Sequence, residues 1–147
     1  MNIPPDIIAA AQAAQRKWRI PTSISLAQWA LESGWGQHMP PGSNNPFGMK
    51  ASPGNPFVTV KTREVDQHRR EYWIDAPFRR FDSIADAFDF HARLLATATV
   101  YGQAREELPD ADGFALALTG RYATDPTYGK ALIAIMRGAD LYRYDAP

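Results

Sequence analysis

The segment "LAQWALESGWG", residues 26–36, holds a single acidic side chain, Glu32, among tryptophan, leucine, alanine and glycine. The helical pattern stops at Gly34, so Glu32 lies in the last turn, where the negative end of the helix dipole disfavours an anion. Trp29 and Trp35 are placed to shield the carboxyl from water, and desolvation disfavours the anion further. A carboxyl that keeps its proton near neutral pH suits a general acid.

From its position alone, Glu32 is more simply explained as a helix-end carboxylate without a catalytic role, because structural carboxylates outnumber catalytic ones. A partner would strengthen the case, since glycoside hydrolysis usually uses two carboxyl groups flanking the scissile bond. Glu64, in "VKTREV", is the first candidate, as a base that activates water, and Glu71 is a weaker rival. An exposed ion pair of Glu64 with a nearby arginine is the commoner arrangement for such a residue. Asp125 is more typical of a helix cap.

Aromatic rings and amides at loops and helix ends suit a sugar ligand, because rings bind sugar faces and amides bind their polar edges. The candidates of this kind are Trp35, Asn44, Asn45, Phe47, Tyr122 and Tyr128. For each ring the alternative is core packing, and asparagines in an "SNNPFG" segment commonly form turns.

Other chemistries lack their motifs. The three histidines, His38, His68 and His91, do not have a metal-ligand spacing such as H-E-x-x-H. There is no P-loop, no G-x-G-x-x-G and no G-x-S-x-G nucleophile elbow. Cysteine is absent from the sequence, which excludes a cysteine nucleophile, a disulfide framework and a thiolate metal site.

The elements that must position these residues are mostly helical. Helical spacing begins after Pro4 and Pro5 and predicts a first helix to about Trp18. Alternation with period two predicts a β-hairpin. The predicted segments are a helix at about 22–33, a packed irregular stretch at 36–56, strands at 57–65 and 71–81, and helices at about 82–101, 110–120 and 125–144. The sequence therefore predicts an α+β domain of about five helices with one inserted hairpin.

The 147 residues fit one domain, 1–147, with one core. Sixteen basic and sixteen acidic residues cancel, so no charge excess favours nucleic acid or an anionic membrane. No window approaches the roughly 20 apolar residues of a membrane span. The first eighteen residues lack a basic region followed by an apolar core, so we expect a helix there and not a secretory signal peptide.

Five motifs occur in order: "LAQWALESGWG", "SNNPFGMK", "VKTREV", "FRRFDS" and "YATDPTYGKAL". Together they resemble the glucosaminidase family of peptidoglycan hydrolases, glycoside hydrolase family 73, over about residues 21–142. The resemblance implies a lysozyme-like fold, with a helical lobe beside a small β-lobe. It also implies hydrolysis of the β-1,4 bond between N-acetylglucosamine and N-acetylmuramic acid, on the N-acetylglucosamine side.

The resemblance assigns roles to individual residues. The family's "ALESGWG" glutamate is the general acid and corresponds to Glu32. The glutamate on the hairpin is the proposed second carboxylate and corresponds best to Glu64, although the substrate's own acetamido group is an alternative nucleophile. The tyrosine that opens "YATDP" lies near the acid and corresponds to Tyr122. The hairpin is longer and more charged than in many members. We expect neither a metal nor a cofactor, because the mechanism needs none.

A wall substrate raises the question of delivery, since no signal peptide is recognised at the start. We expect synthesis in the cytoplasm and action in the periplasm or wall of a target cell, as a type VI secretion effector. A cognate immunity protein that occludes the cleft would then be a partner beside the glycan strands. The alternatives are a phage endolysin of the same activity, a muramidase or lytic transglycosylase specificity, and an inactive glycan-binding module.

Overall fold

The computed structural model describes residues 2–146. Within this range the elements are α1 (Pro5–Trp18), α2 (Thr22–Ser33), β1 (Phe57–Val65), β2 (Glu71–Arg79), α3 (Ile84–Thr97), α4 (Gly102–Glu106), α5 (Ala111–Leu118) and α6 (Tyr128–Gly138). Short 3₁₀ segments lie at Thr99–Tyr101 and Leu141–Tyr144. The α+β, mostly helical fold predicted from the sequence is confirmed. None of the helices in residues 2–146 has both the length and the apolar character that crossing a membrane requires.

Helix α2 lies at the centre of the helical lobe. It is buried on every side from Thr22 to Ala30, and α1, α3, α5 and α6 all pack against it. Small side chains such as those of Ala27 and Ala30 let the neighbouring helices approach α2 closely. The last turn of α2 reaches the surface, which is where Glu32 is placed.

Polar side chains at the helix starts explain several of the boundaries. The Ser83 hydroxyl accepts a hydrogen bond from the Asp86 amide and caps α3. The Asp110 carboxylate accepts one from the Gly113 amide and caps α5. Before α6, the Asp125 carboxylate accepts hydrogen bonds from the amide and hydroxyl of Thr127, so Asp125 shapes the turn that leads into the helix.

The helix predicted at about 82–101 is interrupted, and a short helix that the sequence did not predict, α4, follows it. Ala98 is extended, with φ −70° and ψ 135°, so α3 stops at Thr97. The Arg105 guanidinium donates to the carbonyl oxygens of Leu95 and Ala98, both at 2.8 Å. The Leu95 carbonyl lies in the last turn of α3, and the Ala98 carbonyl also accepts a hydrogen bond from the Tyr101 amide. The guanidinium thus helps to satisfy carbonyl oxygens at the break that follows α3.

Strands β1 and β2 form a two-stranded antiparallel hairpin in which Phe57 pairs with Arg79 and Val65 with Glu71. Cross-strand partners share a face, so one face carries the pairs Val58–Phe78, Val60–Ala76, Thr62–Ile74 and Glu64–Tyr72. On β1 the residues of this face are the partly buried ones. This face is therefore the one directed towards the helical lobe.

Candidate active site

A tight turn fixes the backbone immediately after Glu32. The buried Ser33 hydroxyl donates to the Trp29 carbonyl at 2.5 Å and accepts a hydrogen bond from the Gly36 amide at 2.8 Å. Gly34 ends α2 with φ 57°, and a Cβ there would lie 2.4 Å from the His38 ring. The left-handed backbone favours glycine at this position, and any side chain here would also have to displace the His38 ring. The "ESGWG" motif thus holds Glu32 at a rigid helix end.

The Glu32 side chain lines a cavity of about 350 Å³ between the helical lobe and the hairpin. The 36–56 segment and the two strands supply the other walls, which include His38, Met39, Asn45, Val60 and Phe78. Glu32 is the only carboxylate among the lining residues that the structure describes. Among residues 2–146, no group of three or more histidine and acidic side chains is gathered to hold a metal ion.

Burial raises the pKa of the Glu32 carboxyl above its usual value, and a hydrogen bond from Tyr128 partly offsets this. The Tyr128 hydroxyl donates to Oε1 of Glu32 at 3.0 Å. Glu32 as a whole residue is exposed, yet its side chain lines the cavity, and burial is still the larger effect on the pKa of its carboxyl. The shielding comes from the tyrosine and from the apolar cavity walls. Trp29 and Trp35 are not among the residues that line this cavity.

Helix α6 presents Tyr128 as its first residue, and Tyr128 is buried apart from 4% of its surface. The Tyr122 ring stacks on it, with centroids 5.7 Å apart and planes 16° from parallel. Burial raises the Tyr122 pKa well above its usual value, and the nearby Tyr128 and Glu32 raise it further. The structure thus places the sequence-predicted Tyr122 near the acid, whereas the hydrogen bond to Glu32 comes from Tyr128.

Two fully buried polar side chains lie behind Tyr128. The Gln28 amide nitrogen is 2.9 Å from the Tyr128 hydroxyl, and the Gln28 amide oxygen is 2.8 Å from Nε2 of His91. The His91 ring stacks on Phe47 with centroids 4.0 Å apart. Burial lowers the pKa of His91 to about 3, so the ring is neutral at physiological pH.

Two of the predicted sugar-binding rings lie away from this cavity. Phe47 is 3% exposed and packs in the core between His91 and Phe88. Trp35, with φ 59°, packs edge-on against Trp29 at 5.9 Å and lines two neighbouring hollows. Neither ring turns a free face to the Glu32 cavity, and their substrate-binding role stays a prediction from the sequence.

The two predicted asparagines hold the 36–56 segment to the rest of the domain. The Asn45 amide donates to the carbonyls of Met49 and Arg79, and its oxygen accepts hydrogen bonds from the amides of Phe47 and Met49. The Asn44 amide donates to the Phe81 carbonyl at 3.0 Å. Asn45 also lines the cavity, so it shapes the cavity wall while its polar atoms are engaged.

Glu64 lies on the face of β1 that is directed towards the helical lobe, but near the hairpin turn. It is not among the residues that line the Glu32 cavity, and its Oε1 accepts a hydrogen bond from the Thr62 hydroxyl at 3.1 Å. It lies four positions along the strand from Val60, which does line the cavity, and this amounts to about 13 Å. Its role as second carboxylate therefore remains a prediction.

Sequence reasoning did not find the hydrogen-bond partners of the acid. Tyr128 was predicted as a sugar contact, and Gln28 and His91 were not assigned to the site. One signal was present, since Gln28 and Glu32 are four residues apart and so share one side of a helix. Gln28 is 100 positions from Tyr128 and 63 positions from His91 in the sequence, so no local spacing predicts these two contacts.

A helical lobe and a β-hairpin border a cavity with a carboxyl of raised pKa in its wall, an arrangement that suits the acid of a lysozyme-type glycoside hydrolase. Residues 8–141 match the family model "Glucosaminidase: Mannosyl-glycoprotein endo-beta-N-acetylglucosaminidase". The chain therefore belongs to the glucosaminidase family.

Individual relatives agree with this assignment. The exo-glucosaminidase LytG of Bacillus subtilis is 35% identical over 141 residues, which cover 92% of this chain and 50% of LytG. The catalytic domain of the autolysin Auto of Listeria monocytogenes superposes with a TM-score of 0.83, at 30% identity, covering 99% of this chain and 90% of that domain. The peptidoglycan hydrolase of Sphingomonas sp. A1 superposes with a TM-score of 0.73, at 30% identity, covering 92% of this chain and 86% of that one. The chain thus spans half the length of LytG.

Proposed function

We propose that this protein is a peptidoglycan hydrolase, an endo-β-N-acetylglucosaminidase that cleaves the β-1,4 bond between N-acetylglucosamine and N-acetylmuramic acid. The observation that carries the proposal is Glu32, whose pKa is raised by burial in a cavity wall of the family's fold. The names of similar proteins, an autolysin and a peptidoglycan hydrolase, support the wall substrate. The cavity lies open between two lobes, which suits an internal site on a long glycan strand.

In the first chemical step Glu32 acts as the general acid. Its Oε1 is engaged by the Tyr128 hydroxyl, which leaves Oε2 to carry the transferable proton. As the bond between the anomeric carbon and the glycosidic oxygen breaks, its electron pair goes to the oxygen and the proton of Oε2 follows. The sugar becomes an oxocarbenium-like centre, and Glu32 becomes a carboxylate that can later deprotonate the attacking water.

Two groups are candidates for stabilising that centre. Glu64 is the sequence-predicted base, and the substrate's acetamido oxygen is the alternative internal nucleophile. The position of Glu64 outside the cavity lining favours the acetamido route, with Glu64 assisting from the hairpin face. The separation typical of two catalytic carboxyl groups, about 5–9.5 Å, would otherwise require the hairpin to move towards the helical lobe.

The proposal is tested by loss of turbidity of purified cell walls with the wild-type protein and with Glu32→Gln. Clearing by the wild type alone supports it, and equal clearing by both proteins contradicts the role of Glu32. Mass spectrometry of the fragments tests the bond. Reducing N-acetylglucosamine ends support the proposal, whereas reducing muramic ends indicate a muramidase and anhydro-muramic ends a lytic transglycosylase. Binding to walls without fragments would indicate an inactive glycan-binding module.

We propose action on the bacterial cell wall as the cellular role. Delivery as a type VI secretion effector, and an immunity protein that plugs the cavity, remain predictions, with a phage endolysin as the alternative. Co-purification with the product of the neighbouring gene tests them. A tight complex that blocks wall clearing supports the effector role, and an adjacent holin gene supports the endolysin.

A further inference from the structure

A line of buried side chains connects the core to the acid. His91 Nε2 lies 2.8 Å from Gln28 Oε1, Gln28 Nε2 lies 2.9 Å from the Tyr128 hydroxyl, and that hydroxyl lies 3.0 Å from Glu32 Oε1. Three helices, α3, α2 and α6, contribute one residue each. We call His91, Gln28 and Tyr128 the buried hydrogen-bond network. Gln28 and His91 are fully buried, and burial of their polar atoms is costly unless those atoms form hydrogen bonds. The proton positions that form the most hydrogen bonds are therefore strongly favoured.

The direction of each hydrogen bond follows from the state of His91. Its Nδ1 is buried and has no hydrogen-bond partner among the described residues. A buried N–H without an acceptor is rarer than a buried acceptor without a donor, so the neutral ring carries its proton on Nε2. Nε2 then donates to the Gln28 oxygen, which turns the Gln28 amide nitrogen towards Tyr128. The Tyr128 oxygen accepts from Gln28, and its own proton is directed to Glu32.

The opposite amide orientation would reverse this arrangement. With its oxygen facing Tyr128, Gln28 would accept the tyrosine's proton, and Glu32 Oε1 would lose its donor. His91 would then have to accept at Nε2 and carry its proton on the partnerless Nδ1. The neutral Nε2–H form of His91 therefore selects the orientation of Gln28, and through it the donor direction of Tyr128.

We propose that His91 and Gln28 are positioning residues that hold the Tyr128 hydroxyl as a donor to Glu32 Oε1, so that the transferable proton stays on Oε2 facing the cavity. This inference rests on the proposed function of Glu32 as general acid. Neither Gln28 nor His91 lines the cavity, so both act through Tyr128 and not on the substrate.

Few other titratable groups face Glu32. His38, from the 36–56 segment, lines the same cavity, and Tyr122 approaches from the segment between α5 and α6. Tyr101 lies behind the two tyrosines. The hairpin contributes the uncharged Val60 and Phe78 to the cavity. His91 also contacts the Tyr122 ring edge-on, with centroids 6.0 Å apart, so a replacement of His91 should keep an aromatic ring at this position.

The test variant is His91→Phe, which keeps a ring to stack on Phe47 and removes the Nε2 donor. We expect kcat on wall fragments to fall about tenfold, the loss of roughly one hydrogen bond in the transition state, with KM within about twofold of wild type. The descending limb of the pH profile should move to higher pH. Without the donated bond, which lowers the Glu32 pKa, the acid keeps its proton to higher pH.

A double-mutant cycle distinguishes positioning from a general packing effect. In a Tyr128→Phe background, His91→Phe should cause no further change of kcat or of the pH limb, because both act through one hydroxyl. Ser25→Ala is the matched control. It removes another buried polar atom from α2, one without a partner in the described residues, and should leave the profile unchanged. Additive effects of His91→Phe and Tyr128→Phe would overturn the proposal.

Nitrogen-15 NMR of the wild-type protein tests the same idea without relying on a variant that folds. The proposal requires a neutral His91 ring with hydrogen on Nε2, unchanged across the pH range of activity. A ring protonated at Nδ1 alone, or one that titrates within that range, overturns it. A wild type that clears no walls but shows the expected ring would refute the proposed function alone. An active enzyme with the wrong ring state would refute this inference alone.

Discussion

The Tyr128 hydroxyl donates a hydrogen bond to Glu32 Oε1 across 3.0 Å, although 96 positions separate the two residues in the sequence. The first residue of α6 thereby reaches the last turn of α2, and one oxygen of the acid is engaged while the side chain lines the cavity. Burial and this bond act in opposite directions on the pKa of Glu32, and burial is the larger effect.

Replacing the acid should remove activity without unfolding the protein. Glu32→Gln keeps the shape of the side chain and an oxygen that can accept from Tyr128, but it has no proton to transfer. We expect wall clearing to fall by about 10²–10⁴-fold, the usual contribution of a general acid. The melting temperature should stay close to that of wild type, because the side chain stands at the surface end of α2. Full activity in this variant would count against the mechanism.

Removing the Tyr128 hydroxyl should shift the pH profile. The donated bond lowers the pKa of Glu32, so in Tyr128→Phe that pKa rises and the acid stays protonated to higher pH. The descending limb of kcat/KM should therefore move upward in pH, while kcat falls. Tyr122→Phe is the matched control, since the hydrogen bond to Glu32 comes from Tyr128 and not from the stacked Tyr122. A downward shift in Tyr128→Phe would refute this sign.

The second carboxylate should matter less than the first. Glu64 lies outside the cavity that holds Glu32, and its carboxylate accepts a bond from Thr62. We expect Glu64→Gln to lower the rate of wall clearing by about tenfold or less, well below the loss in Glu32→Gln, if the acetamido group supplies the internal nucleophile. Rates of both variants on the same wall preparation provide the measurement. Equal losses would show that Glu64 is the base.

His91 should make the folded state sensitive to acid. Its pKa is about 3 in the folded protein, against an ordinary value of 6.5, so protons bind the unfolded chain preferentially. The stability that neutral His91 contributes is complete above pH 6.5 and is lost as pH falls towards 3. Linkage gives a loss of roughly 2 kcal/mol between pH 7 and pH 5 from this residue. The free energy of unfolding, measured with denaturant at pH 7 and pH 5, should fall by that amount more in the wild type than in His91→Phe. Equal pH dependences of the two proteins would refute this prediction.

The helix crossing that places Tyr128 should not tolerate a methyl group at the next residue. A Cβ on Gly129 would lie 2.6 Å from the Ala115 carbonyl oxygen and 2.7 Å from the Leu116 Cα. Both are backbone atoms of α5, so the helices must separate, and we expect Gly129→Ala to cost about 1–3 kcal/mol of stability and to lower activity. Gly138→Ala, with no atom within 4 Å, is the control and should be neutral or slightly stabilising. Equal melting temperatures would contradict this account.

Much of the fold was accessible from local signals. Helix α2 spans the predicted Thr22–Ser33, and both hairpin strands begin at the predicted residues, Phe57 and Glu71. The break at Ala98 was missed because it is stabilised by Arg105, whose side chain reaches back to two carbonyls. In the site, the environment of Glu32 in the sequence made it a candidate, and the resemblance of the five motifs gave it the role of general acid. The packing of Phe47 and Trp35 away from the cavity depends on contacts that no spacing reveals.

The sequence by itself determined the helical periodicity, the hairpin, the glycine that ends α2 and the acidic residue placed just before it. These features depend on backbone sterics and on neighbours a few positions away, so they can be recognised locally. Only the tertiary structure decided which oxygen of Glu32 is engaged, which tyrosine donates to it, and which buried residues stand behind that tyrosine. Those relationships join α2, α3 and α6 across 63 to 100 residues, and they follow from how whole helices pack.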